Sequence, residues 1–380
     1  MDRKSLLKDI KRVVIKIGTS TLTHENGYLN INKIEKLVRN ISHIQNLGYE
    51  VIVVSSGAVG AGMGRLHLKE RPKTIPEKQA IAAVGQVALI HLYQKLFFEY
   101  NKNIAQLLLT GEDLGDRQRF LNARNACFEL ISKDIIPIIN ENDSVLTEEI
   151  KIGDNDTLSA LVASLIDADL LIILSDIDGL YTADPRKDPE AKLITTVEEV
   201  TEEIKNMGKG AGSSLGTGGM ATKIRAAEIT VSRGINMLIA NGEDPDIIVE
   251  ILNGAQVGTL FLPFDKAVGS RKHWIKYNSG KHGKVIVDEG AKNAVIAGKS
   301  LLPKGVTEVI GDFVKGDVVS LYSSEDKEIG KGIVNYSSAE IDLIKGCHSG
   351  KLEEILNEPE YLEIIHSNNI SRIKEVLWAI

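Results

Sequence analysis

Val13-Val14-Ile15-Lys16-Ile17-Gly18-Thr19-Ser20 is an apolar, β-branched run that carries one lysine and stops in a glycine turn. Valine and isoleucine suit a pleated, buried surface, so the run reads as a strand. It is continuously apolar rather than alternating, as expected of a parallel strand covered by helices on both faces. The same texture returns at 51–55, 135–139, 170–174 and 235–240. Longer stretches of helical character, among them 32–47, 81–100, 157–167 and 222–233, separate these runs. This is the rhythm of βα units, and it predicts one large doubly wound α/β domain over 1–265.

Beyond Pro263 the texture changes. A bridge at 266–276 leads into short β-like pieces at 284–287, 306–310, 318–322 and 332–335, separated by glycine-containing turns. They predict a small β-rich domain over 277–365, followed by a tail at 366–380. Residues 271–315 hold nine Lys/Arg against four Asp/Glu, whereas 316–380 hold six against twelve. The second domain therefore has a locally basic start without being basic as a whole.

The full chain has 380 residues and a formal charge of −7, with 43% hydrophobic and 26% charged residues. Such a composition is that of a globular protein, and its acidic balance disfavours one built mainly to coat nucleic acid or an anionic membrane. Cys127 and Cys347 are too few and too far apart for a disulfide framework or a CxxC site. The polar start MDRKSLLKDI does not read as a signal peptide, and no uninterrupted apolar run reaches spanning length. These features predict a cytoplasmic protein with no membrane partner, in which the NIS, NDS and NDT triplets are not glycosylation sites.

In an open parallel sheet, ligands sit beyond the carboxyl ends of the strands. After the first strand come Gly18-Thr19-Ser20, and after the second Ser55-Ser56-Gly57-Ala58-Val59-Gly60-Ala61-Gly62. Glycine lets backbone N–H groups approach an anion, so two such turns suit a phosphate or carboxylate; equally, each alone is an ordinary tight turn. Lys16 ends an apolar strand where the backbone already invites negative charge, or is a snorkelling strand-end lysine. Asn140-Glu141-Asn142-Asp143 follow the third strand run, and Asp154-Asn155-Asp156-Thr157 precede a helix. These polar groups can bind an amino group or fix lysines, although Asn155 or Asp156 also fits as a plain helix cap. Ser175-Asp176 open a loop after the next strand, which is also a good generic turn. Gly216-Thr217-Gly218-Gly219-Met220-Ala221-Thr222-Lys223 bring amides, hydroxyls and a second lysine to a helix start, an arrangement suited to phosphate oxygens, although as an isolated pattern it also fits a flexible linker.

Gly298-Lys299-Ser300 imitates the end of a P-loop, but Asn293 stands where that motif needs glycine. There is no GxGxxG after a strand and no HExxH. Two lysines in separate glycine turns, with carboxylates and amides and no Ser/His/Asp or Cys/His signature, favour phosphoryl transfer, in which positioning and charge neutralisation suffice.

The segments VIKIGTS, VVSSGAVGAG, INENDSV, KIGDNDTLSALVA, DGLYTADPR and SLGTGGMATKIRAA occur in one order. In that order they resemble the amino acid kinase family, in particular its glutamate-phosphorylating branch. HGKVIVDEGAKNAV, SLLPKGVTEVIGDFVKGDVV and GKGIVNYSS resemble the PUA module that follows the kinase domain in many bacterial members. The resemblance covers nearly the whole chain. It implies an αβα sandwich with a mainly parallel central sheet plus a small β-rich PUA-like domain, and ATP-dependent phosphorylation of the γ-carboxylate of L-glutamate, opening proline biosynthesis.

By position, the resemblance makes Lys16, Lys223 and Asp156 catalytic, the lysines stabilising the transferring phosphoryl group and Asp156 holding them. It assigns Ser56, Gly57, Asn140, Asp143 and Asn155 to the substrate. To ATP it assigns Lys16, Gly18, Ser175, Asp176, Thr217, Gly218, Gly219, Met220, Ala221, Thr222 and Lys223. Ser175 stands where some members have threonine, with the hydroxyl retained. Mg²⁺ would accompany ATP, with no protein ligand assigned to it. The resemblance further implies inhibition by proline, glutamyl phosphate reductase as a pathway partner, and a homodimer or homotetramer. Residues 110–119 and 143–151 are expected to form a mobile lid. The competing readings are another acceptor within the same family, and RNA binding through the second domain, with RNA the minor one.

Overall fold

Val13, Val14, Ile15 and Ile17 are fully buried, because their strand lies in the middle of a sheet covered on both faces. A computed structural model describes residues 2–24, 28–145, 154–208, 219–263, 283–356 and 361–372. The chain divides into two units, Met1–Lys266 and Ala267–Ile380.

The first unit is built on β1 (Arg12–Ile17), β2 (Glu50–Ser55), β3 (Ile104–Leu109), β4 (Ile136–Glu141), β5 (Leu170–Ser175), β6 (Thr196–Val197), β7 (Asn236–Asn241) and β8 (Thr259–Phe261). Their order is β3-β4-β2-β1-β5-β7-β8-β6. Pairing is parallel from β3 through β7, and β8 runs antiparallel to β7. The chain fills one side of β1 with β2, β3 and β4 before β5 opens the other side. The rims of β2, β1 and β5 therefore meet where the strand order reverses, which is where such sheets bind ligands.

Alternation along β1 separates two cores. Val13, Ile15 and Ile17 pack with Ile34, Leu37 and Ile41 of the helix Ile31–Asn46 and with Leu89, Tyr93 and Phe97 of the helix Ile75–Glu99. Val14 belongs to the opposite core, with Leu158 and Val162 of the helix Asn155–Leu165 and Ile224 and Ala227 of the helix Met220–Ser232. The two-residue period of a strand assigns Lys16 to this second face.

Several elements depart from the reading of the sequence, among them the short strands β6 and β8, the strand β3 and the helix before it. β3 was not among the expected strands: it is the edge of the sheet, mostly half-buried, and its Ala, Gln and Leu residues are good helix formers that periodicity does not separate from the preceding helix. That helix starts at Ile75 rather than at 81, because Thr74 and Glu77 form a reciprocal capping box. Its 25 residues are long and apolar enough by composition to cross a membrane. Here Leu89, Tyr93 and Phe97 pack into the core of the unit.

In the second unit, β9 (Lys284–Val287), β10 (Val306–Ile310), β11 (Val318–Ser323), β12 (Glu328–Ile333) and β13 (Ile370–Arg372) form a sheet ordered β10-β9-β11-β12-β13. Its own core includes Val285, Val287, Leu321, Ile341 and Ile365. β12 replaces the strand expected at 332–335. Asp326, in the left-handed conformation at φ 55°, turns the chain from β11 early enough for pairing to begin at Glu328.

Residues 110–119 form a capped helical corner. Thr110 and Asp113 box the helix Gly111–Gly115, and the side chain of Asp116 caps the helix Arg117–Ser132. The other segment expected to act as a lid, 143–151, lies outside the described residues from 146 onward.

Candidate active site

Four strand ends line up along the rim in the order β4, β2, β1, β5. They bring Asn140, Ser55 with the following Ser56, Lys16 with Gly18, and Ser175 to neighbouring places. Above them stands the start of the helix Asn155–Leu165. Its N-cap is Asp154, whose carboxylate accepts the Thr157 amide at 2.8 Å. Asn155 and Asp156, each of which fitted a cap by sequence, are instead the first two helical residues. About 100° of helical rotation sends their side chains to different parts of the rim.

Asp156 turns toward the lysines. Its Oδ1 lies 2.6 Å from Lys16 Nζ and its Oδ2 lies 3.0 Å from Lys223 Nζ. Thr222 Oγ1 donates to the same Oδ2 at 2.8 Å. The Lys223 contact is a hydrogen-bonded ion pair. The Lys16 contact is the shorter of the two and lies at the other carboxylate oxygen. All three charged groups are buried, with Asp156 only 1% exposed. Burial alone would push its carboxyl group up. The ammonium charges of Lys16 and Lys223, with the Thr222 hydroxyl, outweigh burial and hold it well below the usual carboxylate range. Two cations share one anion, so Lys16, Asp156 and Lys223 together carry one net positive charge.

Asn155 turns the other way. Its Nδ2 donates to Ser55 O at 3.1 Å, Ser56 Oγ at 3.0 Å and Asn140 Oδ1 at 2.9 Å. Asn140 Nδ2 in turn donates to Gln86 Oε1 at 2.8 Å. Beneath this chain, the fully buried Tyr93 hydroxyl lies 3.1 Å from Ser55 Oγ.

Glycines shape the rest. Gly57 starts the helix Ala58–Arg65 at φ 91°, and Gly219 starts the helix Met220–Ser232; neither provides a side-chain cap, so first-turn N–H groups remain available to an anion. A Cβ on Gly18 would press on the backbone of β5, 3.3 Å from Leu174 O, and would reach ordinary contact with Lys16 Nζ at 3.7 Å. Ser175 Oγ donates to Asp176 Oδ1 at 3.0 Å, which orients the carboxylate beside the rim. Met220 and Ala221 lie in the first turn of the helix that carries Lys223.

The structure thus brings together Lys16, Asp156, Thr222 and Lys223 on one side, and Ser56, Asn140 and Asn155 on the other. Asp143 falls in the turn after β4. Thr217 and Gly218 lie outside the described residues. Sequence reasoning had assigned Thr222 to ATP and did not foresee its bond to Asp156. It missed Gln86 and Tyr93 altogether, since mid-helix residues carry no local motif. Among the described residues, no cluster of three or more His, Cys, Asp or Glu side chains is arranged to hold a metal ion.

Residues 11–241 match the amino acid kinase family and residues 283–356 match the PUA domain. The chain is 53% identical over 360 residues to the glutamate 5-kinase of Thermoanaerobacter sp. (strain X514), covering 94% of this chain and 97% of that one. It is 50% identical over 365 residues to the glutamate 5-kinase of Moorella thermoacetica, covering 96% and 97%. Among solved structures it is similar to a Giardia lamblia carbamate kinase bound to AMP-PNP, at TM-score 0.49 and 21% identity, covering 67% of this chain and 99% of that one. It is likewise similar to a Bacillus anthracis UMP kinase, at TM-score 0.48 and 17% identity, covering 67% and 97%.

The chain is a kinase of the amino acid kinase family, with a C-terminal PUA domain, and its parallel αβα sandwich carries two buried lysines on one aspartate at the rim. Within that family it belongs with the glutamate 5-kinases.

Proposed function

We propose that the chain transfers the γ-phosphoryl group of ATP to the γ-carboxylate of L-glutamate, giving L-glutamate 5-phosphate and ADP as the first step of proline biosynthesis. The observation that carries this reading is the buried Lys16–Asp156–Lys223 arrangement, in which both ammonium groups contact one carboxylate. An oxygen of the substrate carboxylate attacks the γ-phosphorus while the bond to the β,γ-bridging oxygen breaks. The nucleophile is already an anion at neutral pH, so no general base is required. What opposes reaction is repulsion between two anions, and the excess positive charge of Lys16 and Lys223 offsets it. Asp156 is fully engaged with the lysines and acts as their positioning residue, not as a base.

Ser56, Gly57, Asn140, Asp143 and Asn155 serve glutamate in this reading. Gly18, Ser175, Asp176 and residues 217–223 serve ATP, which enters as its Mg²⁺ complex with the ion held mainly by phosphate oxygens. Proline is proposed to compete with glutamate, glutamyl phosphate reductase to take the product, and the enzyme to work as a cytoplasmic homodimer or homotetramer. Hydroxylamine trapping tests the reaction: with MgATP and glutamate, a hydroxamate should accumulate in step with ADP. ADP release without hydroxamate, or equal turnover with aspartate or carbamate, would displace the assignment. Proline should raise the glutamate concentration needed for half-maximal rate; indifference at any proline concentration removes that part of the proposal.

A further inference from the structure

Gln86 lies on the helix Ile75–Glu99, which packs on the opposite face of the sheet from the helix Asn155–Leu165. Its side chain is nevertheless joined to Asn155 through Asn140, so a line of amides crosses the rim from one helical layer to the other. The direction of this line is set by backbone groups, which have no choice of role. The Glu141 N–H donates to Asn140 Oδ1 at 2.9 Å, and the Ser55 carbonyl accepts from Asn155 Nδ2 at 3.1 Å. Asn140 therefore turns its NH₂ toward Gln86, and Asn155 turns its NH₂ inward.

Two consequences reach the open side of the rim. With its NH₂ engaged inward, Asn155 has its Oδ1 left to accept, and the one donor group of glutamate at neutral pH is its α-ammonium. Ser56 Oγ accepts from Asn155, so its proton is left to donate to a carboxylate. Asn140 is 2% exposed, and without the Gln86 oxygen its NH₂ would be a buried donor with no acceptor. Such a group is costly enough to drive a side chain into another rotamer.

We propose that Gln86 is a positioning residue of the amino-acid pocket, satisfying the Asn140 NH₂ and so stabilising the orientation, selected by the backbone groups, in which Asn155 accepts from glutamate and Ser56 donates to it. This rests on the glutamate reading above. The test is steady-state kinetics on the full chain with glutamate and ATP varied separately, following hydroxamate and checking melting temperature. Gln86→Met removes the acceptor and should raise the KM for glutamate about tenfold, leaving the KM for ATP within about twofold and kcat within about threefold. Gln86→Glu keeps an acceptor oxygen and should hold the glutamate KM within about threefold of the parent. Where Gln86→Met lowers the melting temperature by more than a few degrees, Gln86→Lys, a solvated residue at a half-exposed helical position that sets donor against donor, is read in its place and should show the same split. Unchanged glutamate KM, a parallel rise in the KM for ATP, or equal loss in Gln86→Glu and Gln86→Met would each overturn the role of Gln86 alone. Absence of hydroxamate with the parent chain and glutamate would overturn both this role and the functional reading beneath it.

Discussion

Asp156 holds one ammonium group at each oxygen, and at the residue scale that decides what its loss does. Asp156→Asn removes the charge but keeps the shape, leaving two buried cations 140 and 67 positions away in sequence without their shared counterion. We expect kcat to fall by about 10²-fold or more, as for Lys16→Ala and Lys223→Ala, with glutamate binding largely retained in the lysine variants. Single-turnover measurements separate the two effects. The same carboxylate makes stability depend on pH. Its folded-state pKa is depressed, so its contribution is fully present above the ordinary carboxylate range. As pH falls below about 4, the unfolded chain takes up this proton before the folded one does, and the contribution is progressively lost. Acid unfolding followed by circular dichroism should show a shallower loss of stability in Asp156→Asn than in the parent.

At the scale of elements, the turn Ser56-Gly57 is positioned by the way its helix is seated. A Cβ on Gly62 would lie 2.0 Å from Ile81 O, and one on Gly85 would lie 1.8 Å from Ala58 O. The helices Ala58–Arg65 and Ile75–Glu99 therefore touch backbone to backbone, and no side chain fits between them. Gly85→Ala should separate them, costing about 1–3 kcal/mol and raising the KM for glutamate more than that for ATP, because the displaced helix begins at the Ser56-Gly57 turn. Denaturant midpoints and substrate-resolved kinetics check both parts. Gly57→Ala adds a second strain, since φ 91° is a left-handed conformation that a Cβ disfavours by about 1–2 kcal/mol.

At the scale of the whole molecule, the N-terminal helix is tied to the far edge of the first unit. Arg3 is 1% exposed, and its guanidinium donates to Thr195 O at 2.6 Å, to Ala255 O at 3.2 Å and to Val257 O. Burial lowers its pKa from the ordinary arginine value. Arg3→Ala leaves these carbonyls without their donor. It should cost about 2–4 kcal/mol and lower the melting temperature by roughly 5–10 °C with both KM values unchanged, a result readable by calorimetry. The described site residues all lie in the first unit, and each unit has its own core. A chain ending at Lys266 should therefore retain glutamate-dependent turnover within a few-fold, and loss of turnover in a folded fragment would assign the PUA domain a part in the reaction.

Much of this was open to reading along the chain. The apolar runs that became β1, β2, β4, β5 and β7 announce a parallel sheet, since only strands covered on both faces are apolar throughout. Glycine turns carrying Lys16 and Lys223 announce anion chemistry, because that chemistry needs backbone amides and cations near one another. The edge strand β3 stayed hidden, for half-buried strands leave a weak signature. That Asp154 rather than Asn155 or Asp156 caps the helix was also undecided, because three adjacent residues all favour that position and only backbone geometry chooses. The resemblance assigned Asp156 to the lysines, but tertiary structure alone determined that each of its oxygens takes one of them in a buried site and that Gln86 closes an amide line begun 69 residues later at Asn155. The physical reason is that a residue type and its local pattern fix which interactions a side chain is able to make. Which partner it meets depends on chain crossings between distant elements, and so does whether water is excluded enough to make that meeting strong.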